Sequence, residues 1–370
     1  HSLRRRQRQM CIRDRVGIIM IELQHIKKRY TEQDEAVIKD VTVSITPGEF
    51  FVMVGPSGSG KSTILRMIAG LESITGGELL IDGERMNDLP PKSRHLSMVF
   101  QNYALYPNMT VSENIVFGLK SRKVDRATQF QRLSDALTMV DLTDFSSRYP
   151  RELSGGQRQR VALARSIVSG ADIILMDEPL SNLDAQLRES MRYEIKALQR
   201  KLGITVIYVT HDQTEAMTMG DRVMILNDGI VQQIGTPIQL YQVPENTFVA
   251  KFFGTPKMNV IPGVTDWQNH GVAINTPFDP DALVGIRPQA AHVNQENKDD
   301  LAISLWLASM TYIGSDTLLF GTINNRDETV QFKIKGMANL SPQQYVTIYV
   351  SREDLYYFDL AGQALATVGV

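Results

Sequence analysis

Four short apolar runs recur along the first part of the chain, and stretches with helical spacing separate them. The runs are EFFVMVG at residues 49–55, HLSMVFQ at 95–101, DIILMDE at 172–178 and ITVIYVTH at 204–211. Nearly continuous apolar runs of this length are typical of strands that are buried on both faces, as in a parallel sheet. Because helical stretches lie between these strands, the pattern predicts an α/β layered domain.

Each of the four runs ends in a polar or otherwise special residue. These residues are Gly55, Gln101, the pair Asp177 and Glu178, and His211. In open parallel sheets, ligands bind at the edge where the carboxyl ends of the strands meet. We therefore expect the four run ends to face one crevice that binds a ligand.

The hydrophobic pattern changes after about residue 245. Short stretches that alternate apolar and polar residues follow, and polar turns separate them. They lie at residues 301–314, 316–323, 328–336 and 344–350. This pattern predicts a small all-β domain, either a barrel or a sandwich.

The length of the chain agrees with two domains, since 370 residues exceed what one compact core usually holds. We place the first domain at residues 20–250, with a helical insertion at about 102–160, and the second at 251–370. The arginine-rich residues 1–19 are expected to be foreign to the native chain or a disordered basic tail. MIELQHIKKRY, from Met20, reads as a natural start.

Composition and charge narrow the class of protein. The net charge of −2 gives no basic field of the kind that attracts nucleic acid, so we expect no nucleic-acid partner. No apolar run approaches the roughly 18 residues that a membrane-spanning helix needs. The single cysteine, Cys11, excludes a disulfide framework and favours a cytosolic chain.

The first run leads into GPSGSGKST at residues 55–63, which fits the phosphate-loop pattern G-x-x-x-x-G-K-[ST]. The alternative, a plain glycine-rich turn, does not explain why a strand precedes the loop and a helical stretch follows it. In such a loop the main-chain N–H groups cradle phosphates, Lys61 reaches the β- and γ-phosphate oxygens, and Ser62 ligates Mg²⁺. The predicted nucleotide-binding residues of this loop are Gly55, Pro56, Ser57, Gly58, Ser59, Gly60, Lys61, Ser62 and Thr63.

The third run ends in two acids followed by a proline, Asp177-Glu178-Pro179. Asp177 suits a Mg²⁺ ligand, directly or through water, and Glu178 is placed to act as general base on an attacking water. The alternative is a pair of surface acids in a turn. Four apolar residues directly before the pair favour the catalytic interpretation.

Three further residues are candidates for the same site. His211 ends a run beside the nucleotide strands, which favours contact with the γ-phosphate over a structural role. Gln101 follows its run in the same way, and its amide can hold Mg²⁺ or water but cannot act as a base. Tyr30 can stack on adenine through its ring face, and a core tyrosine fits the pattern equally well.

A second turn that suits an anion lies at LSGGQ, residues 153–157. Two glycines stand there before a helical stretch, where main-chain N–H groups are free and the helix dipole is positive. The alternative is a helix cap with Ser154 as the N-cap residue. Such a cap does not need Gly-Gly-Gln, which favours the anion site.

In their order and approximate spacing, these motifs resemble those of ATP-binding-cassette (ABC) ATPases. The resemblance rests on GPSGSGKST, Gln101, LSGGQ, IILMDEP, SNLDA and His211. It implies an α/β P-loop nucleotide-binding domain with a helical insertion, ATP and Mg²⁺ as cofactors, and ATP hydrolysis. It also implies catalytic roles for Glu178, His211 and Gln101, with Ser62, Gln101 and Asp177 at the metal.

The resemblance accounts for the second turn, because two cassettes of this family meet head to tail. One triphosphate needs one phosphate loop, and the LSGGQ of one cassette closes over the ATP that the other holds. Ser154, Gly155, Gly156 and Gln157 would then contact that γ-phosphate, and Asp184 of SNLDA would lie at the seam. The partner is a second copy of the chain or a homologous cassette. ATP would close the pair, and hydrolysis would let it open.

Three stretches resemble the carbohydrate-importer branch of the family, of the maltose and sn-glycerol-3-phosphate type. YPNMTVSENI does so although Asn108 stands where those importers often have histidine, and GTPKMN at residues 254–259 matches the branch as well. VGIRPQ at residues 284–289 resembles the G-I-R-P-E signature of the accessory OB-like barrels, with Gln289 in place of the acid.

The branch implies a function and partners. The chain would be the ATP-hydrolysing motor of a membrane importer for sugars or sugar-like solutes, peripheral on the cytoplasmic face of the cell membrane. The helical insertion would meet integral-membrane permease subunits, and an extracytoplasmic solute-binding protein would act indirectly. Tyr103, Tyr106 and Pro107 are a candidate docking patch, although a core role for the tyrosines fits equally well.

Other functions stay open. An importer ATPase for another solute, such as a polyamine, glycerol-3-phosphate or betaine, fits the same motifs. Soluble cassette ATPases that work on nucleic acid or ribosomes usually carry two cassettes or long coiled coils, whereas LSGGQ occurs once here without sustained heptads. A regulatory GTPase is suggested only by NKDD at residues 297–300, which has no apolar strand before it.

Overall fold

The computed structural model of the chain describes residues 20–262, 282–323 and 329–365. The predicted foreign or disordered tail, with Cys11, lies outside the described residues. Among the residues that are described, no helix is both long and apolar enough to span a bilayer.

The chain divides into two compact units, His1–Pro237 and Ile238–Val370. Each unit has its own cluster of buried apolar side chains. The division comes earlier than the predicted domain boundary after residue 250, and the predicted boundary remains an expectation.

A ten-stranded mixed sheet forms the first unit. Its strands are β1 (Ile21–Lys28), β2 (Ile38–Ile45), β3 (Phe50–Val54), β4 (Gly76–Ile81), β5 (Glu84–Arg85), β6 (Leu96–Val99), β7 (Ile173–Asp177), β8 (Thr205–Thr210), β9 (Arg222–Asn227) and β10 (Ile230–Gly235). Their order across the sheet is β5-β4-β1-β2-β10-β9-β3-β8-β7-β6. The strands β9, β3, β8, β7 and β6 are mutually parallel, and the other part is largely antiparallel.

The four predicted runs form adjacent parallel strands, so the α/β prediction is confirmed. Every residue of β3, β7 and β8 is buried, which explains why these runs are continuous rather than alternating in apolar residues. Gly55, Glu178 and His211 directly follow β3, β7 and β8, and Gln101 comes two residues after β6. Since the strands are parallel, these residues meet at one edge of the sheet.

The antiparallel part of the sheet is tied to the loop that follows β3. Gly229, in the turn between β9 and β10, accepts a hydrogen bond from the Lys39 N–H and donates one to the Ser59 carbonyl oxygen. Lys39 belongs to β2, and Ser59 belongs to the glycine-rich loop. The antiparallel strands therefore support one side of the predicted phosphate site.

Three of the helices in the described first unit form a separate group. The described helices of this unit are α1 (Lys61–Ala69), α2 (Val111–Ser121), α3 (Arg126–Met139), α4 (Gly155–Val168), α5 (Ala185–Leu202) and α6 (Gln213–Met219). The helices α2, α3 and α4 share an apolar cluster that includes Val111, Ile115 and Val161, apart from the cluster of the sheet. This group lies where the helical insertion is predicted, but α4 continues past residue 160.

In its described residues, the second unit is all-β apart from two short α-helices and short 3₁₀ turns, as the alternating pattern predicts. Its described elements are α7 (Pro237–Gln242), which begins at the division, α8 (Thr247–Phe252), β11 (Asn259–Pro262), β12 (Leu283–Ile286), β13 (Ala291–His292), β14 (Leu301–Ile313), β15 (Asp316–Ile323), β16 (Thr329–Lys335), β17 (Gln344–Val350) and β18 (Leu355–Phe358). The antiparallel sheets β11-β12-β18 and β13-β17-β14-β15-β16 enclose one apolar core, which gives a barrel-like unit.

Arg287, in the VGIRPQ stretch, explains why the units divide before residue 250. Its buried guanidinium donates hydrogen bonds to the main-chain carbonyl oxygens of Tyr241, Ala250 and Phe253. The same group lies 3.9 Å from the centroid of the Tyr241 ring. Arg287 thus fastens α7 and α8 to the β-strands of the second unit.

The NKDD stretch at residues 297–300 forms a turn before β14. The Asp300 carboxylate accepts hydrogen bonds from the N–H groups of Glu296 and Asn297, at 3.0 and 2.8 Å. These bonds hold the pKa of Asp300 below its ordinary value. The turn therefore has a local structural explanation that requires no nucleotide.

Candidate nucleotide site

The glycine-rich loop after β3 has a backbone that only glycine fits at two positions. A Cβ at Gly55 would overlap the main-chain carbonyl oxygen of Leu226. Gly60 has a φ of 102°, where a side chain would also overlap Ile38. Gly60 is the N-cap of α1 and has no side chain to accept the first N–H groups of the helix. Those groups and the helix dipole suit an anion.

Lys61 lies buried within this loop. Its ammonium group donates hydrogen bonds to the carbonyl oxygens of Gly55 and Pro56, at 2.9 and 2.7 Å. Burial lowers its pKa, while the Glu178 and Asp177 carboxylates act in the opposite direction. The loop thus presents a cation beside two acids that follow a neighbouring strand.

Ser62 and Asp177 supply neighbouring oxygen atoms that suit Mg²⁺. The Ser62 hydroxyl donates a 2.7 Å hydrogen bond to Oδ1 of Asp177, which is buried. Across the described ranges, no three His, Cys, Asp or Glu side chains cluster as a metal cage. Mg²⁺ commonly takes one or two protein oxygens and completes its shell with water and substrate phosphates. The residues present therefore fit that ion.

Glu178 and His211 contact each other at the same edge. Nδ1 of His211 lies 3.0 Å from Oε2 of Glu178. The Glu178 backbone has a φ of 44°, an uncommon conformation for this residue type, and its N–H donates to the Val209 carbonyl oxygen at 3.0 Å. Local strain of this kind costs about 1–3 kcal/mol and persists where surrounding contacts hold it. The structure thus brings together the two predicted hydrolytic residues.

Gln101 is held by the SNLDA loop. Its side-chain Nε2 donates to the Ser181 hydroxyl at 3.4 Å, and its main-chain carbonyl oxygen accepts from Nδ2 of Asn182 at 3.0 Å. Ser181 in turn donates to the Glu178 carbonyl oxygen at 2.9 Å. The side chain of Gln101 thus lies toward Ser181, and its metal role stays a prediction.

Tyr30 is a surface residue, so the core alternative is wrong. Its side chain is 57% exposed. The ammonium group of Lys28 lies 4.9 Å from the ring centroid, on a face of the ring. The stacking of this ring on adenine remains a prediction.

The LSGGQ turn forms a complete capping box at the start of α4. The Ser154 hydroxyl accepts from the Gln157 N–H at 3.3 Å, and Oε1 of Gln157 accepts from the Ser154 N–H at 2.9 Å. The cap that the sequence analysis disfavours is therefore present, and Gln157 is part of it. The signal was present in the sequence as S-x-x-Q.

The two glycines of this turn are not explained by the backbone. Neither Gly155 nor Gly156 has a positive φ. A Cβ would lie 3.0 Å from a methyl of Leu183 at Gly155, and 2.9 Å from a methyl of Leu187 at Gly156. Both neighbours are side chains that can move. Asp184 is also used locally, since its carboxylate accepts from the Leu187 N–H and caps α5. The predicted contacts of this turn and of Asp184 with a partner remain predictions.

Comparison with known proteins identifies the family. A family model described as ABC transporter matches residues 38–181. The uncharacterized ABC transporter ATP-binding protein YcjV of Escherichia coli is 46% identical over 354 residues, which cover 92% of this chain and 97% of YcjV. The sn-glycerol-3-phosphate import ATP-binding protein UgpC of Rhizobium meliloti is 44% identical over 350 residues, which cover 93% and 99%.

This chain belongs to the ABC transporter ATP-binding proteins. It is thus an ATPase whose cofactors are ATP and Mg²⁺. A solved structure of the dimeric cassette MJ0796, in a post-hydrolysis state bound to ADP and Pi, is 35% identical with a TM-score of 0.52. The match covers 59% of this chain and 98% of the MJ0796 chain. The segment that matches the family model does not include Tyr30 or His211. The contact with Glu178 supports the predicted role of His211, and the role of Tyr30 remains a prediction.

A buried network behind His211 was not anticipated from the sequence. In this ABC ATPase, Oε2 of Glu215 accepts hydrogen bonds from the hydroxyls of Tyr208 and Thr210, at 2.9 and 2.6 Å. Burial raises the pKa of Glu215, and burial also raises the pKa of Tyr208 well above its ordinary value. The network braces the end of β8, where His211 begins the next loop. A lone glutamate in a short helix gives no sequence signal for it.

The candidate docking patch needs a correction. Tyr103 is buried, with 6% exposure, so it does not belong to an exposed patch. Tyr106 is 41% exposed, and its ring centroid lies 4.5 Å from that of Phe117, which is also exposed. Tyr106 and Phe117 therefore form an exposed aromatic pair, and Phe130 of α3 is a further exposed aromatic residue of the helical group. Tyr103 takes the core role that the sequence left open.

Proposed function

We propose that this ABC ATPase drives a membrane importer for sugars or sugar-phosphate-like solutes. One observation carries the proposal: the similarity to the sn-glycerol-3-phosphate import protein extends over 93% of the chain, through both units. An ATP-binding unit alone would match ABC proteins of many kinds. The all-β second unit with its VGIRPQ stretch narrows the branch.

The residues at the strand ends divide the hydrolytic work. Bound ATP supplies the bond that is broken, and Mg²⁺ supplies positive charge at the phosphates. Lys61, which lies within the loop, would orient the phosphates, and Ser62 and Asp177 would hold the metal. Glu178 accepts a proton from the attacking water, which is a step that contributes about 10²–10⁴ in rate. Nδ1 of His211 lies beside the Glu178 carboxylate and would orient it, while Nε2 of the same ring would face the γ-phosphate.

The working unit in this proposal is a pair of cassettes. The related MJ0796 cassette is a dimer in its solved structure. Gly155 and Gly156 lack a backbone reason within their own chain, and glycine permits close approach by a ligand. A two-fold pair in which each LSGGQ meets the other chain's nucleotide gives these glycines a use.

The membrane partner is a separate permease in this proposal. The described helices offer no span of their own, and the exposed pair Tyr106 and Phe117 suits a protein contact. The chain would then be peripheral at the cytoplasmic face, and an extracytoplasmic binding protein would deliver the solute to the permease.

Solute uptake in cells tests the importer proposal. The full chain is expressed in bacterial strains that lack the ATPase of their sn-glycerol-3-phosphate or maltose importer but keep the permease and binding protein. We expect uptake of radiolabelled solute to be restored in one strain by the chain and in neither by Glu178→Gln. If the chain co-purifies with a permease but supports the uptake of neither solute, the sugar-type assignment is wrong.

Disulfide crosslinking tests the head-to-tail pair. Ser57 and Arg151 are exposed beside the two glycine turns, whereas Ser59 and Leu153 are buried and unsuitable. Two differently tagged chains, one with Ser57→Cys and one with Arg151→Cys, are mixed in a Cys11→Ser background. Because each chain then has one cysteine, a mixed-tag product joins two chains.

The crosslink is expected only with ATP. Glu178→Gln in both chains slows hydrolysis and retains the nucleotide. Ser190→Cys, on the exposed face of α5, replaces Arg151→Cys as the matched control. A crosslink that forms equally without ATP, or equally with the control, contradicts the proposed pair.

A further inference from the structure

The loop between β6 and α2 has a strained backbone directly after Gln101. Tyr103 and Ala104 have φ values of 63° and 44°, so two consecutive residues with side chains adopt the left-handed region. Neither residue type prefers this conformation, and such strain persists only where surrounding contacts hold it. The Tyr103 hydroxyl is also buried with no hydrogen-bond partner in the described structure. Contacts from elsewhere in the fold must therefore fix this loop.

Arg165 makes the first of these contacts, from α4. Its Nη1 donates to the Ala104 carbonyl oxygen at 2.7 Å, and its Nη2 donates to the Tyr103 carbonyl oxygen at 2.8 Å. The planar guanidinium offers two parallel donors, which an ammonium group cannot reproduce. The helix that begins at LSGGQ thus holds the two strained residues through hydrogen bonds from Arg165.

The SNLDA loop makes the second set of contacts. Asn182 donates to the carbonyl oxygen of Gln101 at 3.0 Å, and the Ser181 hydroxyl accepts from the Gln101 amide at 3.4 Å. The same hydroxyl donates to the carbonyl oxygen of Glu178 at 2.9 Å. Ser181 therefore links the side chain of Gln101 to the main chain of the proposed general base.

We propose that Arg165, Ser181 and Asn182 are positioning residues that hold the Gln101 loop in register with Glu178. A displacement of α4 reaches the strained loop through Arg165, and then Glu178 through Gln101 and Ser181. The inference rests on the metal role predicted for Gln101 and on the proposed role of Glu178 as general base. None of these contacts involves Lys61 or the phosphate loop, so their loss lowers kcat and leaves the KM for ATP nearly unchanged.

Single variants of Ser181 and Asn182 test the link to Glu178. In the full chain we expect Ser181→Ala and Asn182→Ala to lower the kcat of ATP hydrolysis by about tenfold, with KM within about twofold. Ser181→Thr keeps the hydroxyl and should recover most of the rate. The control is Ser190→Ala, because Ser190 is an exposed hydroxyl on α5 that donates only to Leu187. Unchanged kcat in Ser181→Ala, or equal losses in Ser181→Thr and Ser181→Ala, would overturn the assignment.

A double-mutant cycle tests whether Gln101 and Ser181 act together. We expect the Gln101→Ala Ser181→Ala double variant to be no slower than the worse single variant, since both remove one connection. If the two rate losses multiply, the residues act independently and the proposed link is wrong.

Arg165→Lys tests the contact from α4 with a variant that keeps charge and length. We expect kcat to fall by about fivefold, because one ammonium group cannot serve both carbonyl oxygens. The matched control is Arg132→Lys, since Arg132 also donates to a main-chain oxygen, that of Val168, away from the loop. Equal rates for both lysine variants and the unaltered chain would overturn the role of Arg165. If the unaltered chain hydrolyses no ATP, the proposed function itself fails, which is a different result.

Discussion

The two glycine turns of the first unit look alike in sequence but differ in what their glycines do. Both stand before a helix that carries site residues. In the phosphate loop, Gly55 and Gly60 are required by the chain itself, through a main-chain neighbour and a positive φ. In the LSGGQ turn, Gly155 and Gly156 have no positive φ, and only movable leucine side chains limit the space around them.

The N-caps of the helices that follow the two turns show the same difference. Gly60 has no side chain to cap α1, so the first turn of that helix is left for an anion. Ser154 and Gln157 form a capping box at α4, so some of the first N–H groups of that helix already have hydrogen-bond partners within the chain. The comparison indicates that the phosphate loop is shaped for a ligand by its own fold. At the LSGGQ glycines a Cβ would meet only leucine side chains of the same chain, and their contact with a partner's nucleotide remains a proposal.

The largest expected effect is that of Gly60→Ala. Alanine would have to adopt a φ of 102° here, and its Cβ would displace Ile38. We therefore expect the free energy of unfolding to fall by about 2–5 kcal/mol. ATPase activity should fall by at least about 100-fold, because the phosphate donors move. Denaturant unfolding and ATPase assays measure the two effects. A stable and active variant would contradict the view that this loop is fixed from within.

Gly156→Ala should separate activity from stability. We expect ATPase activity to fall by about 10–100-fold, because the methyl group meets Leu187 and shifts the main-chain N–H groups that are proposed to face the other nucleotide. The free energy of unfolding should change by no more than about 1 kcal/mol, since alanine favours the helix and Leu187 can shift. The same two assays apply. A loss of stability as large as that of Gly60→Ala would show that the glycine is structural.

Gln157→Glu tests the cap against the anion site. Glutamate at this position keeps the acceptor for the Ser154 N–H and suits the helix dipole, so the stability should be equal or slightly higher. The added negative charge should oppose a phosphate and lower the ATPase rate by about tenfold. A variant with full activity would leave the capping box as the whole role of Gln157.

Ser154→Ala should have the smallest effect on the fold. Loss of an N-cap hydroxyl typically destabilises a protein by about 1 kcal/mol. Asp184→Ala is the matched comparison, because Asp184 caps α5 in the same way. We expect similar losses of unfolding free energy in both. If Ser154→Ala leaves the ATPase rate intact, the hydroxyl serves only the cap.

Much of the fold and of the site is predictable from local patterns. The buried runs define β3, β6, β7 and β8, and their continuity indicates parallel neighbours. Gly55 through Thr63, Asp177, Glu178 and His211 follow from their places at strand ends. The capping box at Ser154 was equally local, and S-x-x-Q would have revealed it.

Other features depend on residues far apart in the chain. Tyr103 fits an exposed patch by sequence, yet the fold buries it and Arg165, 62 residues later, binds its carbonyl oxygen. Arg287 assigns α7 and α8 to the second unit through contacts at separations of 34 to 46 residues. No periodicity or motif encodes such a hydrogen bond.

The sequence by itself determined the class of fold, the phosphate loop and the strand ends that carry the chemistry. These depend on burial periodicity and on short-range backbone limits, which adjacent residues set. Only the tertiary structure decided that Ser181 and Asn182 hold Gln101, that His211 contacts Glu178, and that the chain divides after Pro237. Those outcomes depend on which side chains the packed sheet brings within hydrogen-bond distance. The distances between these side chains follow from the whole fold rather than from any one segment.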